Sequence, residues 1–382
     1  MQQSLTSRAE AAFDQVVEWL EHFEDLEDTR QSGKVQYPLD EILLLVLMSV
    51  IAGAEGWVEA AAFGRQKLAL LRRFAPFEHG TPSHDQIGDV FSALDAEQFQ
   101  TCFIAWTGAL TKLGPDIVAI DGKTLRRAYQ ERGAKAIHMI SAWAGRQRLV
   151  LGQRKVDDKS NEITAIPELL DLLTLKGSIV TIDAMGCQKE IAAKIVAKAA
   201  DYVLALKGNQ GTLRNDVELF CAEQKSCDFK DVTASMWRTI EKNHGRIETR
   251  VYTAIGDIGW LQNRHGWPGL RGVAMVESTR EFVDGTAEHE TRFYITSLPP
   301  DAGPLAEAIR GHWGVESHHW VMDMVFRDDE CRIRTANAPA NFATIKHLAS
   351  NLLRRAGGKD SLRVKRKIAA WNDDYLAGLI TG

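Results

Sequence analysis

Two apolar runs, Ile117-Val-Ala-Ile and Ile179-Val-Thr-Ile, each end in an aspartate, and each aspartate is followed by a glycine within three residues. Short β-branched runs bounded by small residues read as buried strands. Gly122 after Asp121, and Ala184-Met185-Gly186 after Asp183, leave room for something bulky against the backbone. Carboxylates at the ends of neighbouring strands supply the oxygen ligands that a hard cation such as Mg²⁺ takes together with phosphate oxygens. A lone aspartate in such a place equally well caps a turn. The repetition points to chemistry.

The surrounding pattern is α/β. After Gly114-Pro115 the chain reads as strands at 117–121 (ended by Gly122), 138–143 and 148–156. A helix at 162–173, a strand at 177–183, a helix at 188–200 and a strand at 202–206 follow. Three strands followed by alternating helix and strand predict a mixed sheet. From 211 to 290 the signal weakens into short strands and reads as a β-rich insertion, before a strand at 293–297 and a helix at 305–326. Residues 1–113 read as all-helical. Phe13, Val16, Val17 and Leu20 repeat at the helical period, 57–74 reads as one helix, and Gly80-Thr-Pro-Ser-His-Asp85 is a turn and N-cap signal. The run 42–54 has only 13 residues, short of a membrane span, and is expected to be a buried helix. The expected domains are therefore 1–113, 114–353 with the insertion at 211–290, and a basic tail, 354–382.

Composition excludes disorder and coiled coil, with 45% hydrophobic and 25% charged residues. The net charge of −5 argues against a protein that coats nucleic acid, but its distribution is uneven. Residues 1–100 balance to −10 and the remainder to +5, so a polyanion is expected on the later part. Of the five cysteines, the only close pair, Cys221 and Cys227, fits neither a disulfide framework nor a zinc half-site. No basic segment followed by an apolar run opens the chain, so no signal peptide is expected, and the cytoplasm is the expected compartment.

A third acid lies in RGHWGVESHHWVMDMVF. Helical spacing puts His312, Glu316, His319 or Trp320, and Asp323 on one face, an unusual mixture for an amphipathic helix. The plain alternatives are a salt-bridged surface acid and interior histidines. Zinc competes less well, because the spacing is wrong and no cysteine is near.

The stretches LEDTRQSGKVQYPLDEILLLVLMSVIAGAEGW, PSHDQIGDVFSALD, AIDGKTLRRAY, NEITAIPELLDLL, IVTIDAMGCQKEIA, DYVLALKGNQ, HGRIETR and HWGVESHHWVMDMVFRDDECRIR together resemble the H-repeat-associated DDE transposases of bacterial insertion sequences. The resemblance runs from about residue 20 to near the C-terminus. It implies an RNase H-like catalytic core behind an N-terminal helical domain, with Asp121, Asp183 and Glu316 as the acids, at gaps of 62 and 133 residues. The implied activity is two-metal phosphoryl transfer with Mg²⁺, or Mn²⁺ in its place, cutting DNA at element ends and joining the 3′-hydroxyl to target DNA. The implied partners are terminal inverted repeats and target duplex, met by a homo-oligomer at the nucleoid, with no membrane involved. Related families keep Tyr and Arg before the glutamate and Lys after it. Here those positions are Ile309, His312 and Asp323, and the run Ser317-His318-His319 loosens the local register of the glutamate, which keeps Asp323 as a second candidate for the third acid.

Basic residues near these motifs are the expected phosphate contacts: Lys123, Arg126 and Arg127 after Asp121, Lys207 and Asn209 after the strand at 202–206, Arg246 in the insertion, and Arg310 and His312 before Glu316. His244 and Arg250 join them in the insertion, and a solvated surface charge is the plain alternative for each. Two rival functions share these residues: an RNase H-fold nuclease or domesticated relative without strand transfer, and a catalytically inactive DNA-binding protein.

Overall fold

The β-branched run at 117–120 becomes the middle of a sheet because both of its faces find apolar partners. The computed structural model describes residues 20–110, 114–125, 137–156, 161–243 and 245–381. The helix expected around Phe13, Val16 and Val17, and the residues Arg126, Arg127 and His244, lie outside them. The helices α1 (Leu39–Ile51), α2 (Trp57–Gln66), α3 (Leu68–Leu71), α4 (His84–Ala93) and α5 (Ala96–Leu110) precede the sheet. The strands β1 (Ile117–Leu125), β2 (Ile137–Ala144) and β3 (Leu149–Val156) form an antiparallel meander. Then come α6 (Glu162–Leu172), β4 (Ile179–Ile182), α7 (Lys189–Ala197) and β5 (Asp201–Leu206), with β1, β4 and β5 parallel.

The insertion is not a separate lobe. It comprises α8 (Gly211–Ser226), β6 (Ala234–Asn243), β7 (Arg246–Ile255), α9 (Gly259–His265), β8 (Gly272–Phe282) and β9 (Ala287–Thr296). β9 pairs antiparallel with β5, so the described strands form one nine-stranded sheet in the order β3-β2-β1-β4-β5-β9-β8-β7-β6. This is a mixed α/β fold with an N-terminal helical region. The meander followed by parallel strands is the RNase H-like order that the sequence resemblance implies. The insertion strands run ten or eleven residues, longer than the sequence suggested. The edge strand β6 exposes Met236, Trp237 and Ile240 along its length, which blurs the two-residue alternation.

Val118 and Ile120 of β1 pack on one face with Ala165, Ile166, Leu169, Ile191 and Ile195 of α6 and α7. Across the other face lies α10 (Ala302–Phe326). Gly311 and Gly314 let it approach closely, since a Cβ there would meet Ile117 at 3.3 Å and Trp143 at 3.0 Å. Farther on, α11 (Ala338–Arg355), α12 (Leu362–Trp371) and α13 (Asp373–Thr381) join the N-terminal helices in one core that includes Leu44, Leu47, Phe91, Phe103, Phe342, Leu348 and Ile380. Residues 354–381 are thus folded onto the N-terminal region. Arg366 is buried and donates to the carbonyls of Val50 and Val325, while Lys365 donates to those of Leu353 and Ala356.

The helix signals of the N-terminal region hold with local changes. Ser83 caps α4 in a capping box with Gln86, and the expected 57–74 helix breaks at Lys67. All of α1 from Glu41 to Ile51 is buried in the helical core, and among the described residues no helix is long and apolar enough to cross a membrane. The strand β1 also runs past Gly122 to Leu125, still paired with β2.

The two regions are joined at the β3 edge of the sheet, which the helices cover. The Asn351 side chain accepts from the Val150 amide at 3.0 Å and donates to its carbonyl at 2.9 Å, filling ladder positions a neighbouring strand would take. Replacing Asn351 by Ala strands both backbone groups in a buried setting, and urea unfolding should show a loss of about 2–3 kcal/mol. A loss under about 0.5 kcal/mol would contradict this account of the joint.

Candidate active site

Asp121, Asp183 and Glu316 line one cavity of about 550 Å³, although they come from β1, the end of β4 and the middle of α10. The same wall carries Lys207, Arg214, Arg292, His312 and Trp313. β4 stops at Ile182, opposite Ile120, so β1 has no neighbour on that side from Asp121 onward. The backbone amides of Met185 and Gly186 donate to Asp183 Oδ1 at 3.0 and 3.4 Å, which orients that carboxylate. Glu316 enters from above because α10 packs across β1, with Val315 and Ala119 in one buried core.

Crowded carboxyls raise one another's affinity for protons. Burial pushes Asp121 up to about 7; the Gly122 amide opposes this, and the charges of Asp183, Glu162 and Glu316 add to it, in that order. The imidazole of His319 lies 3.6 Å from Asp121, and burial pushes it down to about 4. A neutral ring leaves the acids unneutralised. The donor set is all oxygen, mutually repelling and open to a cavity, and so fits a hard divalent cation. Among the described residues the acids line the cavity without yet converging to ligand spacing.

The expected basic contacts are arranged differently from one another. Lys207 is exposed at the cavity wall, and Asn209 donates to the Ala184 carbonyl at 2.6 Å, bracing the loop after Asp183. His312 is turned inward, 3.0 Å from the Thr181 hydroxyl. Lys123 is only 11% exposed and is held by Asp323 at 2.5 Å and Asp328 at 3.1 Å, with Lys346 on the other oxygen of Asp328 at 2.9 Å. The same contact engages Asp323. Arg246 lies 3.9 Å from Glu248, and Arg310 grips Glu241 at 3.1 and 3.2 Å. Trp313 has the guanidiniums of Arg250, Arg292 and Arg310 within 4.9–5.7 Å of its ring. Neither Trp313 nor Glu162 stood out in the sequence. Of their partners, Arg250, Arg292 and His138 sit on other strands, and an acid opening a helix reads simply as favourable to the dipole.

Comparison with known proteins decides the family. Residues 112–352 match the transposase DDE domain, and residues 20–107 match the DDE_Tnp_1-associated domain that accompanies it. The chain belongs to the H-repeat-associated DDE transposases. It is 40% identical over 372 residues to the "H repeat-associated putative transposase YhhI" of Escherichia coli (strain K12), covering 95% of this chain and 97% of that one. It is also 42% identical over 365 residues to the "Putative transposase YncI" of Escherichia coli O157:H7, covering 94% and 93%. The transposase therefore acts on DNA, and transposase DDE domains use divalent metal ions.

The raised Asp121 has a consequence for stability. Its carboxyl ionises near pH 4 in the unfolded chain and near 7 in the fold, so the native state binds the extra proton. Stability from this group is full below pH 4 and is lost as the pH rises to about 7. In EDTA, Asp121→Asn should raise the Tm by a few °C at pH 8, with the difference shrinking towards zero as the pH falls to 4. A Tm difference independent of pH would contradict it.

Proposed function

We propose that the transposase cuts DNA at the ends of an insertion sequence and joins the freed 3′-hydroxyl to target DNA, with Asp121, Asp183 and Glu316 as ligands of Mg²⁺ or Mn²⁺. The observation that carries this reading is the common cavity lined by three acids from separate elements. When bound, the metal pair lowers the pKa of the attacking water or hydroxyl and stabilises the leaving oxygen. The chain's residues do the rest. Asp183 is held ready by two amides, Glu316 is fixed by the packing of α10, and Asp121 stands at the open edge between them. No covalent protein intermediate is needed, and both steps use one site.

Lys207, exposed on the cavity wall, is the side chain best placed to meet phosphates there; Arg214 on the same wall is paired with Glu218 at 3.2 Å, and it, Arg310, Arg246 and Lys123 would first have to leave acidic partners. Glu316 is the third acid rather than Asp323, because Glu316 lines the cavity and Asp323 is committed to Lys123. Two element ends must be cut and joined together, so the working form is a homo-oligomer on DNA, and in the cell it sits on the nucleoid.

The test is cleavage and joining of duplexes carrying the inverted repeats that flank the gene. Asp183→Ala and Glu316→Ala should each lower nicking by about 10³-fold or more, which is about 4 kcal/mol of transition-state stabilisation, with DNA affinity kept within a few-fold. Asp323→Ala should retain measurable nicking. Active Glu316→Ala with dead Asp323→Ala would move the third ligand two helical turns. Nicked product without any joined product from the wild type would favour a nuclease instead.

A further inference from the structure

A fourth carboxylate reaches the same strand from the opposite face. Side chains alternate along β1, so Asp121 belongs with α10 while Gly122 faces α6, whose first residue is Glu162. Glu162 Oε1 lies 2.6 Å from His138 Nε2, and His138 Nδ1 lies 2.9 Å from the Thr124 hydroxyl, so both ring nitrogens are engaged and the imidazole is fixed. The pair sits directly on the glycine. A Cβ at residue 122 would fall 2.1 Å from Glu162 Oε1 and 2.5 Å from His138 Nε2. Gly122 has ordinary strand backbone, so close approach rather than conformation is what demands glycine there.

This placement brings Glu162 against the residue next to Asp121 on the strand. Glu162 stands beside a carboxyl already crowded by Asp183, and its charge bears on Asp121 more than that of Glu316. A structural His–Glu pair gains nothing from such a neighbour, whereas a shared cation turns repulsion into common attraction. The β4 side of β1 is open from Asp121 onward, so groups from both faces can meet at that edge.

We propose that Glu162 is a fourth carboxylate of the metal site, binding a divalent cation together with Asp121, and that His138 is the positioning residue that aims it. The proposal deepens the reading of Asp121, Asp183 and Glu316 given above and rests on it. His138 acts as the outer partner of a ligand, the kind of support whose loss costs about 10–100-fold in metal affinity. Gly122 is then part of the design, since any side chain there would wedge Glu162 away from the strand.

The experiment is a Mn²⁺ titration of the full chain without DNA, read by the free-ion signal in electron paramagnetic resonance. Tm in EDTA is measured alongside to establish folding. Glu162→Gln should weaken Mn²⁺ binding about 100-fold or more, His138→Gln about tenfold, and Glu162→Asp should fall between wild type and Glu162→Gln. In cleavage assays the half-saturating Mn²⁺ concentration should shift upward by the same order. Should Glu162→Gln fail to fold, Glu162→Asp and His138→Gln decide alone. A wild-type isotherm for the folded Glu162 and His138 variants, with binding lost in Asp121→Asn, would overturn this inference and leave the three-acid site standing. Wild-type binding in Asp121→Asn as well, or no Mn²⁺ bound by the wild type, would overturn both.

Discussion

Like charges held together in a half-buried cavity are the constraint to which the rest of this structure answers. The charges of Asp183 and Glu316 both bear on Asp121, and each of the three acids on the cavity wall is fixed by an element that cannot easily move. β1 is locked between β2 and β4, the loop after β4 is bonded through its amides, and α10 is pinned along much of its length. A divalent cation bound among these carboxylates would offset that repulsion.

The helix α10 links the two halves of the molecule. Its first half packs Leu305, Ala308 and Ile309 against strands of the extended sheet, including Tyr252, Ala254 and Ala274. Its second half buries Val315, Met322 and Phe326 in the helical core shared by α1 and α11. The chain of charges Asp323–Lys123–Asp328–Lys346 ties that half to β1 on one side and α11 on the other. With Lys346 and Asp328 almost fully buried, removing any one partner leaves an uncompensated charge, which typically costs about 3–5 kcal/mol. The register of Glu316 over Asp121 is therefore set by the helical region as much as by the sheet.

Much of this was legible in the residues. Asp121 and Asp183 announced themselves through local features, an apolar run, a carboxylate and small residues, which survive in one dimension. The α/β core followed from period and punctuation for the same reason. What could not be read depends on partners far along the chain. Lys123 looks like a free cation after a strand until Asp323 and Asp328, two hundred residues later, close on it. The glycine after Asp121 reads as a strand terminator, yet the strand continues and the glycine serves Glu162 and His138. The basic stretch 354–367 reads as a tail because charge dominates it. Burial of Lys365 and Arg366 against backbone carbonyls is invisible without the fold.

The central claim is that three acids from distant parts of the chain make one metal site. Anomalous diffraction from crystals soaked in Mn²⁺ tests it most directly. The account predicts a peak between Asp121 and Asp183 with Glu316 turned towards it. A manganese peak elsewhere, with the cavity between these acids empty, would contradict it.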